Sequence, residues 1–491
     1  MENTIRYKKV LLLNGAYEDT YFDLQPEIPA GLGYIAEALK DNGIEYDIID
    51  MDLGYQLSTL ARKIRSFQPE LIGLSLMSIG YRKNYKIIRN IKTNFPSIDI
   101  VLGGPHISTM KKDVMKECQE IDFGILREGE LTIIELCKGK EIKEIKGLMY
   151  RKNGEIIYNG DREFVSQLDS FKFPTYEKFN LDGYKKIRRD KNLNIPVITS
   201  RGCPFSCTYC GAYLSLGKKF RYRSATNVVD EIEHWHQKGL KDFRIFDDNF
   251  TLKKDRVYEI CNEIKRRKLI DLRISCDNGV RADRVDKDLL KIMREVGFYR
   301  LDFGVEGGNN KILKRLKKGE KIETIEKAIK DACETGFEVE LTFLIGSPGE
   351  TWKDFEDGIN LALRYPISSA IWYHILPYPE TELYKWLKDN DFLLEESSDY
   401  LNSASRRRNH PLFIIPTLSL KERKKAWKYS RKVMNKITVR STKRKLKKLG
   451  ILGNIIAHAY GSFLLRNLLI GNEMVRKLIV KPVKKSAKLS K

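Results

Sequence analysis

The stretch Thr199-Ser-Arg-Gly-Cys203-Pro-Phe-Ser-Cys207-Thr-Tyr-Cys210-Gly211 decides how the rest of the chain is read. It places three cysteines at Cys-x3-Cys-x2-Cys spacing, directly after an apolar run from Ile195 to Thr199 that reads as a strand. A loop of this length can point three thiolates at one spot. Three thiolates suit an iron–sulfur cube whose fourth iron stays open to a substrate or cofactor, whereas clusters that only carry electrons usually use four. Zinc is the rival metal. A closed structural zinc site needs four ligands, commonly from two Cys-x2-Cys pairs, and no second pair exists here.

Downstream, from 195 to about 376, strands are expected at 196–200, Phe243–Asp247, Arg273–Cys276, Tyr299–Val305, Val339–Ile345 and Ala370–Leu376, with helix-length segments between them. Six strand–helix units suit a partial TIM-type barrel, in which chemistry sits at the carboxyl ends of the strands. Upstream, residues 8–137 alternate in the same way. Strands are expected at Val10–Asn14, Tyr46–Asp50, Leu71–Leu76, Ile98–Gly103 and Phe123–Leu126, which predicts a Rossmann-like, doubly wound parallel sheet. Its strand ends carry Ser75-Leu-Met-Ser78, Gly103-Gly104-Pro105-His106 and Arg127-Glu128-Gly129-Glu130, where ligands of such sheets bind. Residues 145–160 read as a hairpin turning at Asn153-Gly154. The domains expected are therefore 1–140, a hairpin and linker over 141–190, a barrel over 191–400, and a basic, mostly helical extension over 401–491.

Cys203, Cys207, Tyr209 and Cys210 resemble the Cys-x3-Cys-x-aromatic-Cys pattern of the radical S-adenosylmethionine (SAM) superfamily. The resemblance implies a 4Fe-4S cluster whose open iron chelates SAM, and reductive cleavage of SAM to a 5′-deoxyadenosyl radical. The strand-end loops of the first domain, in the order found, resemble the cobalamin-binding domain that precedes the barrel in one large subfamily, which includes anaerobic magnesium-protoporphyrin ester cyclases and class B methyltransferases. This implies cobalamin contacts at Ser75, Gly103, Gly104, His106 and Glu128. The Asp-x-His-x-x-Gly motif that supplies a cobalt ligand in many cobalamin proteins is absent. His106 is a candidate ligand, although a lone histidine after Gly-Gly-Pro reads first as a loop hydrogen-bonding residue.

At the barrel mouth the resemblance assigns SAM contacts to Tyr209, Asp247, Asp248, Glu306 and Gly346. Residues beside them have plainer readings. Asn249 or Thr251 can cap a helix starting near Leu252, Arg281 can pair with the SAM carboxylate or form a surface salt bridge, and of Tyr373 and His374 only one should face the lumen. Cys118, Cys137, Cys261 and Cys333 lie in helical patterns and read as small buried hydrophobes.

Composition bounds the rest. Of 491 residues 42% are hydrophobic, which excludes global disorder. Eight cysteines without a secretory leader suggest a reducing cytoplasm. The net charge of +23 is confined to the C-terminal region, since residues 1–400 hold 64 basic and 64 acidic residues. Residues 401–491 hold 25 basic residues against Glu422 and Glu473, and the apolar run 451–470 is interrupted by Asn454, His458, Arg466 and Asn467. A separable basic tail of this kind suits an anionic membrane surface, peripheral on the inner face, ahead of nucleic acid, and the plain alternative is a solvated helical cap packed on the barrel. The family resemblance, and not the composition, implies methylation of an unactivated carbon of a small-molecule or lipid-like substrate, with an electron donor of flavodoxin or ferredoxin type. Cyclisation or rearrangement without methyl transfer, an RNA-modifying methylthiotransferase and a non-catalytic cobalamin or cluster sensor are the rivals. By the same resemblance a methylthiotransferase would carry a second cluster on three cysteines of the first domain, which has only Cys118 and Cys137.

Overall fold

A computed structural model of the chain describes residues 5–16, 26–188, 193–403 and 409–461. The first sheet contains β1 (Lys9–Asn14), β2 (Glu45–Asp50), β3 (Leu71–Ser75), β4 (Asp99–Gly103), β5 (Phe123–Ile125), β6 (Leu148–Lys152) and β7 (Glu155–Tyr158), in the spatial order 2-1-3-4-5-6-7. β1 to β5 run parallel, and the β6–β7 hairpin closes the far edge in antiparallel pairing. Val10 to Leu13 are buried to within 1% because helices cover both faces, so the strand reads as one unbroken apolar run. Asn153 and Gly154 both take positive φ, as a tight hairpin turn demands. The strand order reverses between β1 and β3, which opens a crevice beyond their carboxyl ends.

The second sheet is built from β8 (Asn194–Val197), β11 (Asp242–Ile245), β12 (Arg273–Val280), β13 (Phe298–Glu306), β14 (Glu338–Ile345) and β15 (Ser369–His374), all parallel and in sequence order. A short ribbon of β9 (Ser200–Arg201) and β10 (Arg221–Tyr222) follows the first of these strands. β8 and β15 are the edges, so the barrel is partial. Alternate residues such as Phe243, Ile274, Leu301, Leu341 and Trp372 join one apolar core with the outer helices. The other row carries Arg244, Asp277, Arg300, Asp302 and Glu340 inward, with Asp277 bridging Arg244 and Arg300. Arg244 also pairs with Glu27 of the first domain.

The expectation of a separable tail is corrected. Helix Leu420–Lys445 starts on a capping box between Ser419 and Glu422 and lies along β15, burying Arg423, Ala426, Val433 and Ile437. Three cations near its end are used internally. Arg440 donates to Leu363 O at 2.8 Å, Arg444 donates to Ile367 O at 2.7 Å, and Lys445 pairs with Glu338 at 2.6 Å. The carbonyl at 363 ends helix Trp352–Arg364, where a nearby cation is favoured by both the orphan acceptors and the dipole. The last described helix is Gly450–Gly461, and the later part of the apolar run 451–470 lies outside the described residues.

Candidate active site

The cysteine loop leaves the barrel immediately after β9. Gly202 has φ +86°, and a Cβ there would stand 2.4 Å from Lys219 O, so only glycine turns the chain at this point. Cys203 N donates to Gly217 O, Cys210 N donates to Cys207 O, and Thr208 N donates to Leu316 O, which fixes the loop backbone. Phe205, inside the first interval, carries the Arg281 guanidinium 3.5 Å above its ring. Arg281 in turn donates to Lys318 O at 2.9 Å and pairs with Asp283. It is buried and braces the loop, so its salt bridge is an internal one and not a surface pair.

Cys203, Cys207 and Cys210 are half-buried free thiols. Burial pushes the Cys207 thiol up against the opposing pull of Lys318 and Arg281, and it pushes Cys210 to about 11. Among the described residues no three His, Cys, Asp or Glu side chains converge to hold a single metal ion. A cube does not ask for that convergence, because it takes each thiolate at a different iron. Three free thiols with no fourth partner in the loop are a donor set that fits such a cube with one iron open.

Beside the loop, β11 ends in Phe246-Asp247-Asp248-Asn249, and its two carboxylates part company. Asp247 turns into the base of the loop, accepting from Thr199 N at 2.6 Å and Ser200 Oγ at 2.6 Å, with Arg256 at 3.7 Å. Asp247 is thus spent on the fold, where a SAM contact was expected of it. Asp248 lines a cavity, its Oδ2 has no hydrogen-bond partner, and burial together with Asp247 pushes its pKa up to about 6. Asn249 Oδ1 is likewise buried without a partner, and its Nδ2 sits 4.0 Å from Cys203 Sγ. Asn249 precedes the short turn Phe250–Leu252 without a side-chain cap.

The cavity measures about 500 Å³ and lies between the two sheets. One wall is the crevice of the first domain, with Gly31, Ser75, Gly103, Gly104 and Glu128. The other is the barrel mouth, with Ser200, Arg201, Gly211, Asp248 and Tyr378. A Cβ on Gly31 would meet nothing within 4 Å, and one on Gly103 only Leu74 O at 3.8 Å, so bare backbone faces open space there. Such a floor fits a bulky planar ligand. Glu128 lines the cavity but is already engaged, with Arg201 at 3.0 Å and Arg221 at 2.7 Å; Glu130 takes the other arm of Arg201 at 2.7 Å. This buried network ties the first domain to the residue two before Cys203. Arg201 escaped the sequence reading; the signal was an arginine at a strand end where the chain enters a glycine turn.

Two expected contacts are corrected. His106 is 1% exposed and lies beneath the cavity floor, outside its lining, with one ring nitrogen 2.8 Å from Tyr85 Oη, the other 3.3 Å from Ser78 Oγ and its face stacked on Tyr81. Burial lowers its pKa to about 3, so it is a neutral structural residue with both nitrogens in use. Gly346, expected to contact SAM, also lies outside the cavity lining. A Cβ there would stand 2.3 Å from the Arg423 guanidinium, because the C-terminal helix fills that space.

Tyr209 and Glu306 meet each other behind the loop. Glu306 ends β13 with φ +65° at a register shift, and Lys318 lies 3.4 Å from it. Burial and the adjacent Glu306 carboxylate hold the Tyr209 phenol well above its ordinary value. A non-glycine residue held in the left-handed region at a strand end is strain of the kind that gathers at functional sites. Tyr373 is half-buried on the inward row and His374 is buried on the outer one.

Comparison with known proteins follows the same division. The profile of the radical SAM superfamily matches residues 197–362, and that of the B12 binding domain matches residues 24–137. An uncharacterized methyltransferase of Pyrococcus horikoshii is 32% identical over 374 residues, covering 74% of this chain and 80% of that protein. Cytidylyl-2-hydroxyethylphosphonate methyltransferase of Streptomyces wedmorensis is 27% identical, covering 81% and 85%. Among solved structures, the radical SAM methyltransferase TsrM of Kitasatospora setae, with cobalamin and a [4Fe-4S] cluster bound, superposes with a TM-score of 0.68 at 20% identity over 78% of each chain.

Proposed function

This chain belongs to the radical SAM superfamily, in the branch with an N-terminal cobalamin-binding domain, and on that premise we propose that it methylates an unactivated carbon of a small-molecule or lipid-like substrate. It is an enzyme whose cofactors are a 4Fe-4S cluster, SAM and cobalamin. When bound, the cluster supplies the electron that cleaves SAM and cobalamin carries the methyl group, chemistry that side chains alone cannot perform. The protein's own part is to hold, orient and exclude water. Cys203, Cys207 and Cys210 are the cluster ligands, braced by Arg281 on Phe205. Asp248 and Asn249 offer unsatisfied acceptors beside them. Gly31, Gly103 and Gly104 floor the opposite wall, with Ser75 next to them.

The observation that carries this reading is one cavity walled jointly by the cobalamin-type crevice and the barrel mouth, next to the cysteine loop. Methyl transfer needs both groups to reach one substrate carbon, and the Arg201–Glu128–Glu130 network fixes the two walls against each other. Cys118 and Cys137 are buried, which speaks against a second cluster in the first domain. The electron comes from an external donor of flavodoxin or ferredoxin type. The basic C-terminal region would meet an anionic partner surface at the inner face of a membrane; among the described residues no helix is long and apolar enough to cross one.

The test uses anaerobically reconstituted protein, SAM bearing a deuterated methyl group, and extract from a strain lacking the gene. The expected result is 5′-deoxyadenosine together with a product retaining the labelled methyl. Deoxyadenosine with an unlabelled product would replace methylation with cyclisation or rearrangement, and no deoxyadenosine from a reducible cluster would leave a sensor.

A further inference from the structure

We infer that the outward face of helix Gly450–Gly461 docks on an anionic lipid bilayer. The helix is inverted relative to an ordinary surface helix, which turns its large apolar side chains inward. Here the buried row is Gly453, Ala457 and Gly461. A Cβ on Gly453 would stand 2.5 Å from O of Leu446, the residue that caps helix Leu420–Lys445, and one on Gly461 would stand 2.3 Å from Val439 Cγ2 within it, so the two helices pack tightly through the smallest residues of the second. The large aliphatic side chains point the other way, with Ile451 80%, Leu452 57% and Ile455 61% exposed. An exposed apolar cluster with a polar rim marks a contact surface.

The rim says what kind of surface. Lys447 and Lys448 are exposed at the head of the helix, and no Asp or Glu occurs between Glu422 and Glu473. A duplex or single-stranded nucleic acid is satisfied by the cations alone and gives no reason to present three aliphatic side chains. A bilayer interface uses both, burying the apolar face at the headgroup boundary while lysines meet anionic lipid. Arg440 and Arg444 are spent on carbonyls, so the contact is centred on this helix with Lys447 and Lys448 at its head. The inference rests on the anionic-partner reading of the C-terminal region and is independent of methyl transfer.

Flotation of the full-length reconstituted protein with phosphatidylcholine vesicles, with and without phosphatidylglycerol, tests it. Binding to the phosphatidylglycerol vesicles and not to the neutral ones is expected. Ile451→Ser/Leu452→Ser/Ile455→Ser should weaken it about tenfold or more, since three large apolar side chains no longer leave water. Lys447→Gln/Lys448→Gln should lower the salt concentration at which binding is lost, and both variants should keep iron content and SAM cleavage. Unchanged binding by the serine variant overturns the inference. So does a dimer, seen by light scattering, that the serine variant dissolves while vesicles are ignored. Retention on heparin or RNA without vesicle binding rejects the bilayer and keeps the anionic partner; retention on neither rejects both.

Discussion

Asp248 and Asp247 are adjacent in sequence and opposite in role, and the difference is one of satisfied valence. Asp247 accepts several hydrogen bonds and pairs with Arg256, whereas Asp248 has an oxygen with no partner inside a cavity. Its pKa, about 6 in the folded protein, lies above that of an ordinary aspartate. A raised carboxyl pKa means that the folded state holds its proton longer than the unfolded chain. The resulting penalty is therefore absent below the ordinary value, grows as pH rises towards 6 and is full above it. Asp248→Asn should accordingly stabilise the cofactor-free protein by about 1–3 kcal/mol at pH 8 and by much less at pH 4.5. Thermal unfolding at the two pH values measures this, and an equal effect at both would show that the carboxyl is not desolvated. The same variant should weaken SAM binding, because an amide offers an anionless acceptor to a cationic ligand. Glu306 is the second residue with a sharp expectation. Glu306→Gln leaves Lys318 with Glu320 at 3.7 Å as its remaining acid partner, so SAM cleavage should fall while iron content stays the same.

At the scale of elements, two connections hold the site. The loop Arg127–Glu130 reaches the barrel through Glu128 and Glu130, whose partner Arg201 is itself buried. Removing one member of a buried network strands the others, so Arg201→Met should cost about 3–5 kcal/mol in urea unfolding. A loss below 1 kcal/mol would mean the two sheets are joined by the apolar core instead. The second connection is helix Leu420–Lys445. Its Arg423 donates to Phe413 O at 2.6 Å, and next to it Glu350 accepts from Gly346 N, which seals the end of β14. A chain ending at residue 419 exposes β15 as an edge strand, and edges of that length invite aggregation. Recovery of that truncation as a monomer would contradict the account of the helix as part of the barrel.

For the molecule as a whole, what the sequence announced and what it withheld divide along a physical line. Strand and helix alternation was legible because buried parallel strands are short unbroken apolar runs and their connecting helices carry the longer period; thus Val10–Asn14 and Val339–Ile345 lie within one residue of β1 and β14. The cysteine loop was legible because ligand chemistry forces both residue type and spacing. The engagement of His106 by Tyr85 and Ser78, the filling of the space at Gly346 by Arg423, and the seating of Arg201 against Glu128 were not, since each joins side chains between 21 and 77 positions apart. The cavity itself belongs to the same class, being a product of two sheets meeting. Its composition leads to a last prediction. The cysteines border the cavity without lining it, and the floor expected to carry cobalamin comes from residues 12–133. Cys203→Ala/Cys207→Ala/Cys210→Ala should therefore strip iron and sulfide from the protein and leave cobalamin binding within about threefold of the unmodified chain. Absorption spectra of the protein repurified after incubation with hydroxocobalamin report both at once. If cobalamin is lost along with iron, the crevice does not hold it alone, and the cluster loop must form part of its wall.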